Sequence, residues 1–523
     1  MFDTQKPTKA VFNQAEFRDR VLGCWTGKNI GGTLGAPFEN KQQIFDVSFY
    51  TEKLNGEPIP NDDLDLQLVW LHAIEERGLS QINERVLGEY WLSYVTGPWE
   101  EYGICRANMI NGLYPPLSGL CNNHLWYNGN GAWIRSEIWA CLFPGSPDEA
   151  VGYAWFDACV DHAGDGIYAE VFTTALEAAA FVEHDILKLI DIALKRIPED
   201  CRVARAVRVA VAEFKAGHDF VSARNAVVKD SEDIGWFHAP ANVAFAVIGL
   251  LYGGGDFSKA ICTAVNCGDD ADCTGATVGA VMGIILGRSG IPQKWIEPIG
   301  EKIKTVAVSS YFLNLPETLD DLTDRVVALK ALASAENPTL PGLTEGETVI
   351  AEELLSSCRD SRAGLKRLLL RDSRRMELNV SWGKVAVEYE HSPVMKPGTS
   401  QKLRLRVFAT NLGCTNAYFN WQLPEGWRCS PSPSLALMLK TGTSHALEME
   451  IFMPETVEAL TYIPVEVRQS SRNSPDWITI PFQTEGTVKT CNEPSADQAF
   501  WDARNQAFAR VNAQKKEDEN AKK

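Results

Sequence analysis

The sequence predicts an all-α domain over residues 1–335 followed by an all-β sandwich over residues 375–487, in a chain of 523 residues. Two observations carry this. Apolar residues recur at helical spacing in Leu66–Glu76, Ala169–Val182 and Ala204–Phe214, and no segment of that region alternates long enough to make a convincing strand. Beyond residue 400 the period falls to two. Leu403, Leu405 and Val407 alternate with Lys402, Arg404 and Arg406, and Leu447, Met449 and Ile451 repeat the pattern, as do Ile463, Val465 and Val467.

Pro, Gly, Asn and Ser separate these runs, and about seven or eight short strands in about 110 residues match a sandwich of immunoglobulin type. Between the two domains, residues 336–374 read as a breaker-rich linker (Glu336–Glu347) and a charged connecting helix (Val349–Arg371). Residues 488–523 read as a polar tail, either a solvated helix or disordered.

Composition limits the function. Fifty basic against 68 acidic residues leave a net charge of −18, which argues against nucleic acid and against an anionic membrane surface as partners. The N-terminal segment has no apolar core of the signal-peptide kind, and the apolar run Ala276–Leu286 is too short to span a bilayer. Thirteen cysteines, odd in number and never spaced as CxxC, read as reduced thiols of a cytoplasmic protein.

Glycine recurs at every fourth residue in two places, Gly23–Gly27–Gly31–Gly35 and Gly275–Gly279–Gly283–Gly287. Each helical glycine costs about 1 kcal/mol relative to alanine, so such ridges predict two helices packed backbone to backbone. Acidic residues stand at the ends of both. Glu39 follows the first ridge in GAPFEN, and Cys267–Thr274 (CGDDADCT) precedes the second. A third cluster, PNDDLDLQ at Pro60–Gln67, opens an apolar helix with Asn61 as N-cap and Asp62, Asp63 and Asp65 in its first turn. The helix dipole alone favours acids at such a position. Clustered carboxylates, however, either raise one another's pKa or call for a cation, and oxygen donors suit Mg2+, Ca2+ or Mn2+.

The order of motifs resembles the ADP-ribosylglycohydrolase family: a glycine ridge ending in Glu, an Asp-Asp helix start, then a G-x-D-x-D turn entering a Gly/Ala helix. The likeness covers roughly residues 15–335. It implies an all-α fold, a two-metal centre that is usually Mg2+, and cleavage of the glycosidic bond from ADP-ribose to a side chain or small molecule. It implies Asp62, Asp63, Asp270 and Asp272 as metal ligands, with Glu39 at the site. Asn61 and Cys273 stand where the family typically carries Thr; an amide oxygen can still assist a metal, whereas a thiol is a poor partner for Mg2+.

The middle of the chain (GLYPPLSG at Gly112–Gly119, NGNGAWIR at Asn128–Arg135, DHAGDG at Asp161–Gly166) resembles a carbohydrate-associated branch of the same superfamily. There His162 is a candidate to polarise a hydroxyl, and Asp165 to orient it or act as acid/base, although a core or capping pair would have the same spacing. Arg135 is a candidate anion clamp. Trp126 and Trp133 are candidate stacking surfaces beside Asn128 and Asn130, and Asn242 in HAPAN is a further candidate substrate contact.

These residues predict a glycosidase. Glu39 or Asp165 handles the proton, and the substrate is a small-molecule or oligosaccharide glycoside, non-nucleotide in preference to ADP-ribosyl because only Arg135 and Lys28 are cations near the site. An ADP-ribosyl hydrolase and a non-catalytic sugar- or nucleotide-binding module are the alternatives. A homo-oligomer is compatible with the chain.

Overall fold

The computed structural model describes residues 10–309, 311–312, 314–410 and 415–487; the polar tail predicted over 488–523 lies outside them. The chain divides into two units. One comprises the chain up to Gly97 with Tyr114–Ser373, and the other Pro98–Leu113 with the chain from Arg374 onward.

The first unit is helical. At its centre the helix Gln14–Gly35 lies antiparallel against the helix Ala271–Leu286. The register follows from the glycines. A Cβ built on Gly23 would strike the Gly283 carbonyl oxygen, one on Gly27 that of Gly279 at 1.9 Å, and one on Gly31 that of Gly275 at 1.9 Å. Gly35 lies against the backbone of Ala271 in the same way. No side chain separates the two backbones, so four glycines on one face are the condition for the contact. The antiparallel register brings the C-terminal end of the first helix, and Glu39 beyond it, to the same end as Asp270–Asp272.

Around this pair stand Asp62–Arg77, whose N-cap Asn61 accepts from Asp63 N, together with Asp165–Ala180 and the largely apolar Ala239–Gly253, which carries Asn242 in its first turn. The breaker-rich segment after residue 336 contains a short strand, Gly342–Thr344, paired in parallel with Val11–Asn13. The connecting region that follows is two short helices, Glu352–Asp360 and Ala363–Leu368, broken where Ser361 turns extended. No described helix is long and apolar enough to cross a membrane.

The second unit is a sandwich of two five-stranded sheets. One runs Arg375–Val380, Gly383–Tyr389, Ser400–Ala409, Ser444–Phe452, Arg428–Ser430. The other runs Val394–Met395, Asp476–Thr484, Leu460–Gln469, Thr415–Trp421, Ser434–Leu439. All pairings are antiparallel except that of Val394–Met395 with Gln483–Thr484. Two edge strands of two and three residues are too short to show alternation, which is why the sequence predicts fewer strands. The alternating residues Leu405, Val407, Ile451, Ile463, Val465 and Val467 are fully buried, and the Tyr389 ring meets Phe482 of the opposite sheet edge-on at 6.1 Å. The helix Glu100–Ile110 belongs to this unit despite its place in the chain order, and the Tyr462 hydroxyl donates to the Asn111 carbonyl just past its end.

Candidate functional site

The acidic turn before the second glycine helix is held by its backbone. Gly268 and Asp269 both have positive φ (75° and 66°), and a Cβ on Gly268 would overlap the Gln43 carbonyl oxygen. Asp269 N donates to Lys41 O and Asn40 N donates to Asp269 O, each at 2.9 Å. The segment just after Glu39 is therefore zipped to the turn. Asp269 Oδ2 accepts from Phe237 N (3.0 Å) and Asn242 Nδ2 (2.9 Å), while Asn242 Oδ1 accepts from Asp270 N (3.3 Å). Asn242 thus braces the turn with both ends of its amide and is fully buried. Its expected substrate contact gives way to this role, and Asp269, not singled out in the sequence, is the residue it braces. The only local clue was the Gly-Asp pair itself, a dipeptide suited to left-handed backbone.

Opposite this turn, Asn61 works in two directions. Its Oδ1 accepts from Asp63 N (2.8 Å) as an N-cap, and its Nδ2 donates to Asp272 Oδ2 (2.9 Å). Cys273 Sγ donates to Asp63 Oδ1 at 3.3 Å. Asp63, Asp272 and Cys273 each offer one donor atom, and these atoms all lie within 4.8 Å of one another. Asp63 and Asp272 are only 2% and 5% exposed, yet Asp63 Oδ2 and Asp272 Oδ1 have no hydrogen-bond partner. Two buried carboxylate oxygens without donors are expensive, and a divalent cation is one group that would satisfy both. The donor set fits such an ion.

Burial pushes the Asp63 and Asp270 carboxyls well above the ordinary range, and Asp272 pushes each further the same way. Glu39, half-buried beyond the first helix, adds to the rise at Asp270. Asp62 is half-buried beside Asp63.

Beneath the acids runs a buried support. Lys28 Nζ donates to Ile134 O (2.5 Å) and Glu137 Oε1 (2.7 Å). Gln67 Nε2 bridges Glu137 Oε2 (2.8 Å) and the Asp63 carbonyl (3.1 Å). Burial works to discharge Lys28, but Glu137 and Asp63 outweigh it and hold the amine above its ordinary pKa.

The Asn128–Asp165 region departs from expectation. Arg135 is 0% exposed, with Nε on Asp157 Oδ1 and Nη2 on Asp161 Oδ1, both at 2.7 Å, and Nη1 on the Gly131 carbonyl. Its guanidinium is consumed inside the fold, so it does not clamp a ligand. His162 is equally buried, with Nδ1 2.8 Å from Asp161 Oδ1, and belongs to the same interior network. Burial alone would raise the Asp161 carboxyl, but Arg135 and His162 override it and bring the pKa down to about 2. Trp133 is fully buried too, its indole N–H spent on Asn130 Oδ1 (3.0 Å), so it is a core residue in place of the expected stacking wall.

Other candidates face outward. Trp126 is half-exposed, its ring 6.1 Å from that of His238. Asn128 Oδ1 accepts from Asp165 N (3.1 Å), and the Asn128 carbonyl accepts from Ala239 N (2.9 Å), so this loop is fastened to the segment that also holds Asp269. Asp165 is half-buried, Oδ1 accepts from Val203 N (3.1 Å), and burial raises its pKa.

Comparison with known proteins agrees with the helical unit. The ADP-ribosylarginine hydrolase Tri1 of Pseudomonas putida (strain GB-1) is 34% identical over 87 residues, 17% of this chain and 22% of that protein. The ADP-ribosylarginine hydrolase Tri1 of Serratia proteamaculans (strain 568) is 37% identical over 60 residues, 11% of this chain and 16% of that protein. The chain thus spans about a fifth of the length of the curated relatives it matches. The ADP-ribosylglycohydrolase family model matches residues 13–336, well over half of the sequence and including both glycine helices and both acidic helix starts, and the chain belongs to that family.

Proposed function

We propose that the helical unit is a hydrolase of the bond between the anomeric carbon of an ADP-ribosyl group and an attached side chain or small molecule, at a site holding a divalent cation. The observation that carries the reading is the meeting of the Asn61–Asp63 helix start with the Asp270–Asp272 turn, where two buried carboxylate oxygens stand without partners. The names of the curated relatives favour an ADP-ribosyl substrate over the non-nucleotide glycoside expected from the residues alone.

Asp62, Asp63, Asp270 and Asp272 would hold the cation, with Asn61 fixing Asp272. Bound there, a divalent cation supplies Lewis acidity toward a water or sugar hydroxyl. The rest belongs to the chain. Asn61 and the Lys28–Glu137–Gln67 support fix Asp272 and the Asp63 backbone in position before substrate arrives. The cluster's negative charge stabilises the oxocarbenium character of the transition state. As the glycosidic bond breaks, water contributes hydroxide to the anomeric carbon and the leaving atom takes the proton. Glu39, half-buried beside Asp270, is the carboxyl for that transfer, with Asp165 the alternative. Trp126 and His238 offer planar faces beside the turn brace.

A neutral glycoside is the second reading. It is favoured by the fact that Arg135 and Lys28, the two cations named for a pyrophosphate, are both committed to buried ion pairs. One assay separates the two: the purified full chain with a divalent salt is offered ADP-ribosylated agmatine and a panel of nitrophenyl glycosides. Release of ADP-ribose, abolished by EDTA and by Asp272→Asn, is the expected result. Turnover confined to the nitrophenyl panel selects the second reading, and turnover of neither sinks both.

A further inference from the structure

The thiol of Cys273 is the unexplained group of the acidic cluster. It is 6% exposed and sits on the first turn of the second glycine helix, next to Asp272 and three residues from Asp270. A carboxylate site built only for a hard ion gains nothing from sulfur, and Mg2+ in particular demands six oxygen donors in near-octahedral array. Yet the sulfur points into the cluster, 3.3 Å from Asp63 Oδ1, and belongs to the triad of donor atoms that lie within 4.8 Å of one another. Two ligands of one tetrahedral ion, a thiolate at about 2.3 Å and a carboxylate oxygen at about 2.0 Å, stand roughly 3.5 Å apart. The Asp63–Cys273 separation, 3.3 Å, is close to that value. Asp63 Oδ2 and Asp272 Oδ1, both buried and without a hydrogen-bond donor, are a second, independent observation that points to a cation there.

We propose that Cys273 is itself a cation ligand and that this centre selects a thiophilic divalent ion, Zn2+ or Co2+, where an all-oxygen site would take Mg2+. The inference rests on reading the acidic cluster as a cation site. On binding, the metal–sulfur bond replaces a metal–water bond, and the thiol proton, which the carboxylate of Asp63 already accepts as a hydrogen bond, leaves to solvent. One proton is released per ion.

The test uses the full chain, stripped with a chelator and titrated with Co2+, whose bonds to thiolate give a near-ultraviolet charge-transfer band. The band is expected at one equivalent, with one proton released. Cys273→Ser and Cys273→Thr are expected to abolish it and to lower the Zn2+-over-Mg2+ affinity ratio by tenfold or more in calorimetry. Two variants are used so that a failure of one to fold does not decide the matter, and the band in the wild-type chain needs no variant. Co2+ binding without the band, an unchanged ratio in a folded variant, or no binding of any divalent ion would each overturn the proposal. Absence of ADP-ribosyl hydrolysis with the band present would overturn the substrate reading and leave this one standing.

Discussion

Gly31→Ala is the most informative perturbation of the scaffold. The added Cβ would lie 1.9 Å from Gly275 O and 2.2 Å from its carbonyl carbon, both backbone atoms that cannot swing aside. That is roughly 1.5 Å short of van der Waals contact, so the helices must part along the seam, and a gap of only about 0.5–1 Å forfeits a quarter to a half of the dispersion energy there. Overpacking of this kind costs about 1–3 kcal/mol or more, against about 1 kcal/mol gained from the better helix propensity of alanine. The net is destabilising.

An internal control exists. Gly152 lies in the helix Pro147–Ala158 with nothing within 4 Å of its would-be Cβ, so Gly152→Ala keeps the propensity gain without the clash. Far-UV circular dichroism melts of the two variants should move in opposite directions. Gly31 also faces the turn of helix just after Asp272, so its substitution should weaken divalent-cation affinity in calorimetry. Gly23→Ala, about two turns away against Gly283, should cost stability with a smaller effect on affinity. A Gly31→Ala protein that melts at or above the wild-type temperature would refute the backbone-contact account of the ridge.

Arg135→Ala should leave Asp157 and Asp161 buried without their cation, a loss of about 3–5 kcal/mol, read as insolubility or a large fall in melting temperature; a well-folded variant with only a raised KM would restore the ligand-clamp role. The depressed Asp161 carboxyl contributes stability that is present above its unfolded pKa and lost as pH falls from about 4 towards 2. The stability gap between wild type and Asp161→Asn should therefore be widest near neutral pH and close over that window in acid unfolding curves, and a gap independent of pH counts against the pairing. Asn61→Ala removes both the cap and the anchor on Asp272. It should cost about 1 kcal/mol of stability together with much of the cation affinity, whereas Asn61→Asp should keep the cap. Divalent ion at a hundredfold excess over Kd should stabilise the chain by about 2.7 kcal/mol, and a thermal melt indifferent to Mg2+, Mn2+, Ca2+ and Zn2+ would remove the cation from the site.

Much of the fold was legible from local pattern. The alternation at Leu403–Val407 and Leu447–Ile451 marks strands because side chains on successive residues face opposite sides. The glycine ridges announced a close helix pair because nothing else offsets four helix-weakening residues on one face. Asn61 announced itself as a cap, since an N-cap bonds to an N–H only two or three residues away. What the periodicity could not supply was membership. The helix Glu100–Ile110 has an ordinary helical sequence and groups with the sandwich because of contacts such as that between Asn111 and Tyr462, 351 residues apart.

At the candidate site the division is the same. Residue order along the chain settles which residue types stand at the helix starts, and so which acids are available to meet. Those features depend on hydrogen bonds and periodicities that span one or two turns. What each side chain does with its polar atoms follows from long-range packing. Arg135 and Trp133 look like ligand contacts in a Gly/Asn-rich loop, but partners 22 and 26 residues away consume the guanidinium, and core packing buries the indole. Asn242 resembles a binding residue until Asp269, 27 residues on, claims its amide. Asp63 and Cys273 are 210 residues apart, and Asn61 and Asp272 are 211. Their meeting depends on the antiparallel glycine seam, and whether a carboxylate oxygen ends with a donor or without one is settled by whichever backbone the fold brings alongside it.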